Sequence, residues 1–271
     1  MAIEFNKIYN SDCELMLSRI DNNSIDFVVT SPPYEDWRTY KGFSWNFENI
    51  AKELYRVLKP GRCVVWVVAD ITKNFCESLV SFKQAIYFVE QCGFNLLDTM
   101  IYERDSGPPQ YPGMKRYPHR WEYMFVLCKG KPIVYNPIKD VVNKHAGEII
   151  SKSTQRQIDG SLRKIEAYTV PEKGTRGNVW RYSTGNNKDS EEKIAYKHPA
   201  RFPFKLALDQ IVSWSNKEEI VLDPFGGSGT TIIAAQELGR KFITCDISIE
   251  YCDIIKERFK QRFNLDVEIV K

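Results

Sequence analysis

The stretch from Glu218 to Ser248, EEIVLDPFGGSGTTIIAAQELGRKFITCDIS, limits the fold of this chain more than any other. It reads as a strand, a glycine-rich turn, a helix and a second strand, the unit from which parallel sheets are built. Glycine at such a turn permits tight bending and lets a ligand approach backbone N–H groups near the positive end of the helix. The residues after the glycines narrow the choice of ligand. A phosphate-binding P-loop needs Lys after the last glycine, whereas Gly229 is followed by Thr230 and Thr231. The dinucleotide fingerprint needs a third glycine where Ile232 stands. A nucleoside-containing ligand without a pyrophosphate fits better, its ribose held by an acid at the end of the next strand. Asp246 stands there, 17 residues beyond Gly229.

The same alternation runs through the first half. FNKIYN predicts a strand, Cys13 to Ile20 a helix with Leu15 and Ile20 inward, and SIDFVVT a buried strand. Asn46 is placed to cap a helix over FENIAKELYRVL, which KPG ends. RCVVWVVAD, NLLDTMIYE and WEYMFVLCKG predict strands, with a helix over SFKQAIYFVEQCGF. HPARFPFKLALDQIVSWS predicts a proline-stiffened lead into a helix, and YCDIIKERFKQRF a basic amphipathic helix near the end. Such alternation gives an α/β, doubly wound sheet with helices on both faces. It stops after Gly130: from about Lys131 to Lys197 the text is polar and rich in Gly, Pro, Ser and Asn, with weak strand signals at PIVYNPI and NVWRY. A structureless span of that length is uncommon in a compact domain, so it reads as an insert with its own task. The expected organisation is residues 1–130 and 198–271 as two halves of one domain, with the insert over 131–197.

At 271 residues, with 43% hydrophobic and 27% charged residues, the chain can bury a large core. No apolar run approaches the length of a membrane span and the N-terminus lacks the layout of a signal peptide, so a cytoplasmic protein is expected. Seven cysteines, scattered and without a C-x-x-C pair, suggest neither a disulfide framework nor a metal site. The net charge of +3 is small, but Lys131 to Arg201 carries 14 Lys/Arg against 8 Asp/Glu, a patch that suits a polyanion or a solvated surface equally.

VVTSPPYEDW, from Val28 to Trp37, ends a buried strand in a polar residue, two prolines and an aromatic ring. Together with DPFGGSGT at Asp223 to Thr230 it resembles the amino-methylating DNA methyltransferases. TSPPY matches their catalytic motif and the glycine turn their S-adenosylmethionine motif. The order, catalytic motif first, cofactor glycines last and a variable insert between, is similar to the circularly permuted beta group. RVLKPG, EYMFVLCKG, HPARFP and GRKFITCDIS fall where that family has its lesser motifs, so the resemblance runs from about Ile8 to Phe259.

The resemblance implies a class I methyltransferase fold, S-adenosyl-L-methionine as cofactor and double-stranded DNA as substrate. Ser31, Pro32, Pro33 and Tyr34 would form the catalytic motif. Ser31 Oγ and the Pro32 carbonyl would accept the two amino hydrogens of a flipped-out base, with Tyr34 as a stacking face. Ser at the head of the motif favours cytosine N(4), with adenine N(6) as the alternative and a non-catalytic DNA-binding module as a further one. The absence of a Pro-Cys motif disfavours ring-carbon methylation.

Cofactor contacts are implied for Asp12, His198, Asp223, Pro224, Phe225, Gly226, Gly227, Ser228, Gly229, Thr230 and Asp246. Asp12 also reads as a helix N-cap, a compatible role. Arg38 and Lys41, with Tyr40, lie in an expected mobile loop after TSPPY. Arg116 and Arg120, with His119 and Glu122, fall near the family's motif beside the target base. Arg176 and Arg181 lie in the insert, which sits where the family keeps its target-recognition region and would supply phosphate contacts; DNA contact is implied for Arg38, Lys41, Arg116, Arg120, Arg176 and Arg181, while Trp180 and Arg181 also admit plain packing. A cognate restriction endonuclease, and either a monomer or a homodimer, are compatible with the family.

Overall fold

The computed structural model describes residues 3–33, 45–105, 113, 115–184, 193–198 and 203–271. They form two compact units, one of residues 1–136 with 178–271 and the other of residues 137–177.

The first unit opens with β1 (Lys7–Asn10), α1 (Cys13–Ser18), β2 (Ile25–Thr30), α2 (Phe47–Val57) and β3 (Leu58–Val68). A short hairpin, β4 (Thr72–Lys73) and β5 (Cys76–Glu77), leads to α3 (Val80–Glu90), β6 (Asn95–Arg104) and β7 (Trp121–Cys128). The second unit holds six short strands: β8 (Lys139–Val142), β9 (Ile149–Ile150), β10 (Ser153–Arg156), β11 (Leu162–Ile165), β12 (Tyr168–Thr169) and β13 (Lys173–Thr175). The chain returns to the first unit through β14 (Val179–Tyr182), a 3-10 turn over Lys193–Lys197, α4 (Phe204–Trp214) and β15 (Ile220–Asp223). It finishes with α5 (Thr230–Glu237), β16 (Lys241–Asp246), α6 (Ile249–Phe263) and β17 (Glu268–Val270).

Nine strands make one sheet in the order β14-β6-β7-β3-β2-β15-β16-β1-β17. Only β7 runs antiparallel to its neighbours; the other contacts are parallel. The central strands are apolar throughout because both faces are covered. Val28, Val64, Trp66, Leu127 and Leu222 join α1, α2 and α3 in one core. Alternate residues such as Phe27, Val29, Val65 and Val221 point to the other side, where α4 packs on β2 and β3 and α5 on β15. Helix α2 forms as its spacing predicts: Ile50, Ala51, Leu54 and Val57 are buried and Asn46 Oδ1 accepts Asn49 N at 3.2 Å. No helix of the described residues is long and apolar enough to cross a membrane.

Three local expectations are corrected. Leu15 faces solvent, because the buried set in and just after α1 is Cys13, Met16, Leu17 and Ile20, one turn apart, and Leu15 lies off that face. PIVYNPI is not a strand, while Val179–Tyr182 of NVWRY is one, paired in parallel with β6 at the sheet edge. KPG does not stand between α2 and the next strand: β3 begins at Leu58 and carries Lys59, Pro60 and Gly61 through a register shift.

The opposite end of β2 from TSPP is locked by charge. Buried Asp26 accepts Lys59 Nζ at 2.7 Å and Ile220 N at 3.0 Å and lies 3.4 Å from Arg62, tying the starts of β2, β3 and β15. Asp26→Ala should lower the unfolding free energy in urea by about 2 kcal/mol, since it leaves the Ile220 N–H without its acceptor and removes the carboxylate shared by Lys59 and Arg62, the latter keeping Glu219. A loss below about 1 kcal/mol, the worth of an ordinary surface pair, would contradict that role.

Candidate active site

Ligands of open α/β sheets bind outside the carboxyl ends of the strands, where the winding reverses. Here that point lies between β2 and β15, paired with Val221 opposite Phe27 and Leu222 opposite Val28. Ser31 therefore leaves β2 at the same edge where Asp223 leaves β15. Thr30 Oγ1 donates to Asp223 Oδ1 at 2.6 Å, and the same oxygen accepts Phe225 N at 3.1 Å. Thr231 Oγ1, in the first turn of α5, reaches the Val29 carbonyl at 3.4 Å. The end of β2 and the glycine turn are thus tied side chain to backbone. Ser31 and Pro33 are half-buried and Pro32 is buried. Tyr34, Arg38, Tyr40 and Lys41 lie outside the described residues.

The turn is tight where its glycines require it. A Cβ at Gly226 would stand 2.6 Å from Thr244 Oγ1, and one at Gly229, whose φ is +82°, would stand 2.8 Å from Ile255. Asp246 holds the turn from β16: Oδ2 accepts Gly227 N at 2.9 Å and Oδ1 accepts Ser248 N at 2.9 Å. Arg258, fully buried on α6, donates to the Ser228 carbonyl and lies 3.4 Å from Thr230 Oγ1. His198 is buried with its ring 4.4 Å from that of Tyr251, and a Cβ at Gly227 would lie 3.1 Å from His198 Cε1. Phe225 packs edge-on against Trp45 and Trp66, which anchors the turn to the core. Residues 199–202 of the HPARFP segment are outside the described residues.

Asp12 caps α1 through Oδ1, accepting Glu14 N at 2.8 Å. It comes just after β1, whose Asn10 pairs with Asp246, so both acids stand at one edge of the sheet. The edge so framed brings together the buried Asp223, the half-buried Asp12 and Asp246, glycine backbone and the start of α5, which has no side-chain cap, and this suits a ribose and a cationic group better than a phosphate chain. Burial pushes the carboxyls of Asp223 and Asp246 each up to about 6, against the hydrogen bonds that favour their charged forms.

On the other side of the edge, Arg104 at the end of β6 donates to the His119 carbonyl at 2.9 Å and sits 3.7 Å from Glu122. Burial, then the charge of Arg104, lowers the His119 pKa, and its ring stands edge-on to Trp121 at 4.8 Å. Of the arginines expected to meet DNA, Arg116 bonds Glu77 and Thr72 of the β4–β5 hairpin and Arg181 bonds Glu103. Arg176 pairs with Asp140 within the second unit, and Arg120 is exposed. Trp180 is buried, which decides its reading in favour of packing.

Tyr251 and Arg258 carry no signal in the sequence that marks them for this site, Arg258 sitting in a helix whose basic text reads as solvated. Thr30 heads the TSPPY match, but nothing in the sequence shows that its hydroxyl reaches Asp223. The two carboxyls make stability depend on pH. Each binds its proton more tightly in the fold, at about 6, than at its ordinary 3.8, so its contribution to stability is complete below the lower value and lost as pH rises through the upper one. Asp223→Asn, which keeps an acceptor for Thr30, should therefore make stability rise more steeply with pH across this window, by up to about 1.4 kcal/mol per pH unit. Parallel urea-melt curves for the two proteins would contradict it.

Comparison with known proteins identifies the family. A family model described as DNA methylase matches residues 25–257. The orphan methyltransferase M.BamHII of Bacillus amyloliquefaciens is 50% identical over 247 residues, covering 90% of this chain and 92% of its own. The type II methyltransferase M.BglII of Bacillus subtilis is 30% identical over 258 residues, covering 92% of this chain and 67% of its own. Among solved structures, the cytosine-N4-specific PvuII DNA methyltransferase superposes with a TM-score of 0.66 at 19% identity, covering 99% of this chain and 95% of that one. The M1.HpyAVI–SAM complex superposes with a TM-score of 0.59 at 22% identity, covering 93% and 98%. The fold is that of the class I S-adenosylmethionine-dependent methyltransferases. With the family model spanning most of the chain and a relative half identical along it, this chain belongs to the N6/N4 DNA methylase family.

Proposed function

We propose that this DNA methyltransferase transfers the methyl group of S-adenosylmethionine to the exocyclic N(4) amino group of a cytosine flipped out of double-stranded DNA. The observation that carries the reading is the Ser31-Pro32-Pro33 run leaving β2 directly beside Asp223, tied to it through Thr30.

Bound S-adenosylmethionine supplies an electrophilic methyl group on a sulfonium. The amino nitrogen of cytosine is a poor nucleophile because its lone pair is delocalised into the ring. Ser31 Oγ and the Pro32 carbonyl supply two fixed acceptors for the amino hydrogens, which biases the nitrogen toward a tetrahedral form with a free lone pair. Proline offers that carbonyl on a stiff backbone without a competing N–H. As the N–C bond forms, the S–CH3 bond would break, with S-adenosylhomocysteine as the neutral leaving group, and the amino group loses one hydrogen as a proton along the hydrogen bond to Ser31 and on to solvent. Tyr34 provides the stacking face for the base. Asp246 and Asp12 face the ribose and adenine, and Asp223, Phe225 and His198 surround the methionine end. The chain order of these parts supports the permuted, beta-group reading.

Adenine N(6) is the second reading, since the family covers both amino groups. Type II names among the relatives support a cognate restriction endonuclease, while the orphan name of M.BamHII supports a chain that works without one; we favour the latter, with the cytoplasm, where the DNA is, as its place. Sedimentation of the pure protein separates the monomer from the homodimer, both of which suit the reading.

Incubation of unmodified DNA with labelled cofactor, then digestion to nucleosides and mass analysis, should show N(4)-methylcytosine; N(6)-methyladenine would overturn the cytosine reading and leave the pocket. Ser31→Ala should lower the transfer rate about 100-fold or more while equilibrium dialysis shows cofactor binding little changed. Transfer at the wild-type rate would remove Ser31 from the mechanism. Cofactor affinity should fall as pH drops through about 6, because protonation of Asp223 and Asp246 removes the charge that attracts a cation.

A further inference from the structure

The second unit is one long β-hairpin. Its three ladders, β8 with β13, β9 with β12 and β10 with β11, are successive antiparallel rungs of the same two strands, closed by the turn over residues 157–161. Every residue of β10 is exposed, and so is every residue of β11 but Ile165. A two-stranded ribbon bare on both faces is marginal alone, so its sequence answers to something outside the unit.

Charge identifies what. Residues 137–177 carry 8 Lys/Arg against 5 Asp/Glu, leaving 30 of each in the remainder, so the chain's whole formal surplus of +3 equals that of the arm. At the base of the hairpin Arg176 is neutralised by Asp140, and Lys152 meets Glu166 at 3.1 Å. Beyond them, Arg156, Arg163 and Lys164 have no carboxylate partner among the described residues.

Register sorts these side chains. Gln155 stands directly opposite Arg163 on one face, beside Ser153 opposite Ile165. Thr154 opposite Lys164 and Arg156 opposite Leu162 share the other. The tip is stiffened: Gln157 N bonds the Ser161 carbonyl at 2.8 Å, Gly160 takes φ +84°, and Asp159 Oδ1 accepts Ser161 N at 2.9 Å. A preformed ribbon loses little freedom on docking.

We infer that the two faces of the distal hairpin, Lys152 to Glu166, divide the work on duplex DNA: Gln155 and Arg163 read base edges in the major groove, and Arg156 and Lys164 hold its phosphates. The inference rests on the DNA-methyltransferase reading above. A two-stranded ribbon fits a groove about 12 Å wide. Gln155 and Arg163, adjacent on one face, are the two side-chain types that grip adenine and guanine edges with paired hydrogen bonds. Arg156 and Lys164, on the opposite face, have the length and charge to reach the phosphates of the groove walls.

The test uses the full chain, labelled S-adenosylmethionine and a plasmid whose modified positions are mapped by sequencing. DNA binding is measured over a salt series, with cofactor binding as the check that each variant folds. Gln155→Ala and Arg163→Ala should widen the set of modified sequences, with discrimination at one or two positions falling about tenfold or more. The double variant Arg156→Ala/Lys164→Ala should keep the wild-type sequence set but bind DNA more weakly, with a salt slope smaller by about two. An unchanged sequence set and salt slope in all variants, while wild type methylates DNA, would overturn the ribbon alone. A wild-type chain that binds the cofactor and methylates no DNA would overturn the enzymatic reading, and the ribbon with it.

Discussion

One buried carboxylate joins the two parts of the site. Asp223 ends β15, and its Oδ1 accepts from Thr30 Oγ1 and from Phe225 N. Hydrogen bonds to a carboxylate in a dry interior are worth about 1.5–3 kcal/mol each, enough to fix the relative position of two chain segments 193 residues apart in sequence. Burial raises the cost of the charge, as its pKa of about 6 records, while hydrogen bonds from Thr30, Thr231 and Phe225 N favour the ionised form. A cationic cofactor group nearby would relieve the same cost. The site is thereby built to be more comfortable loaded than empty.

Around that point the fold supplies rigidity from three directions. Phe225 enters an aromatic cluster with Trp45 and Trp66, Asp246 draws Gly227 toward β16, and Arg258 reaches across from α6 to the Ser228 carbonyl. The glycines leave no room for side chains on the packed side, where Thr244 and Ile255 already stand, so the open side of the turn faces the crevice. The groups proposed for binding and catalysis thus sit on strand ends and a braced turn, and their geometry inherits the precision of the sheet.

Much of this is legible in the sequence because the signals are local. The glycine spacing, the missing Lys after Gly229, the acid at Asp246 and the run of Ser31 and two prolines each need only a few neighbouring residues to be read. The hidden features depend on partners distant in sequence. Thr30 becomes informative only when β2 lies beside β15, and Arg258 only when α6 folds over the turn. Periodicity misplaces Leu15 because α1 is too short to fix a face. The hairpin arm reads as loop-rich text, since a ribbon with no covered face shows no alternation of apolar and polar residues. The antiparallel course of β7, which brings His119 and Trp121 to the catalytic edge, is likewise invisible in a run of apolar residues.

The central claim is that Asp223 couples the strand bearing Ser31 to the turn that binds the cofactor. A double-mutant cycle on Thr30→Val and Asp223→Ala, each of which removes the bond between them, read on the rate of methyl transfer to DNA at saturating cofactor, measures that coupling. The account predicts that the two substitutions are strongly non-additive, the double variant being little slower than the worse single one, with a coupling of about 1 kcal/mol or more. Additive losses, with each substitution acting as though the other were absent, would contradict it.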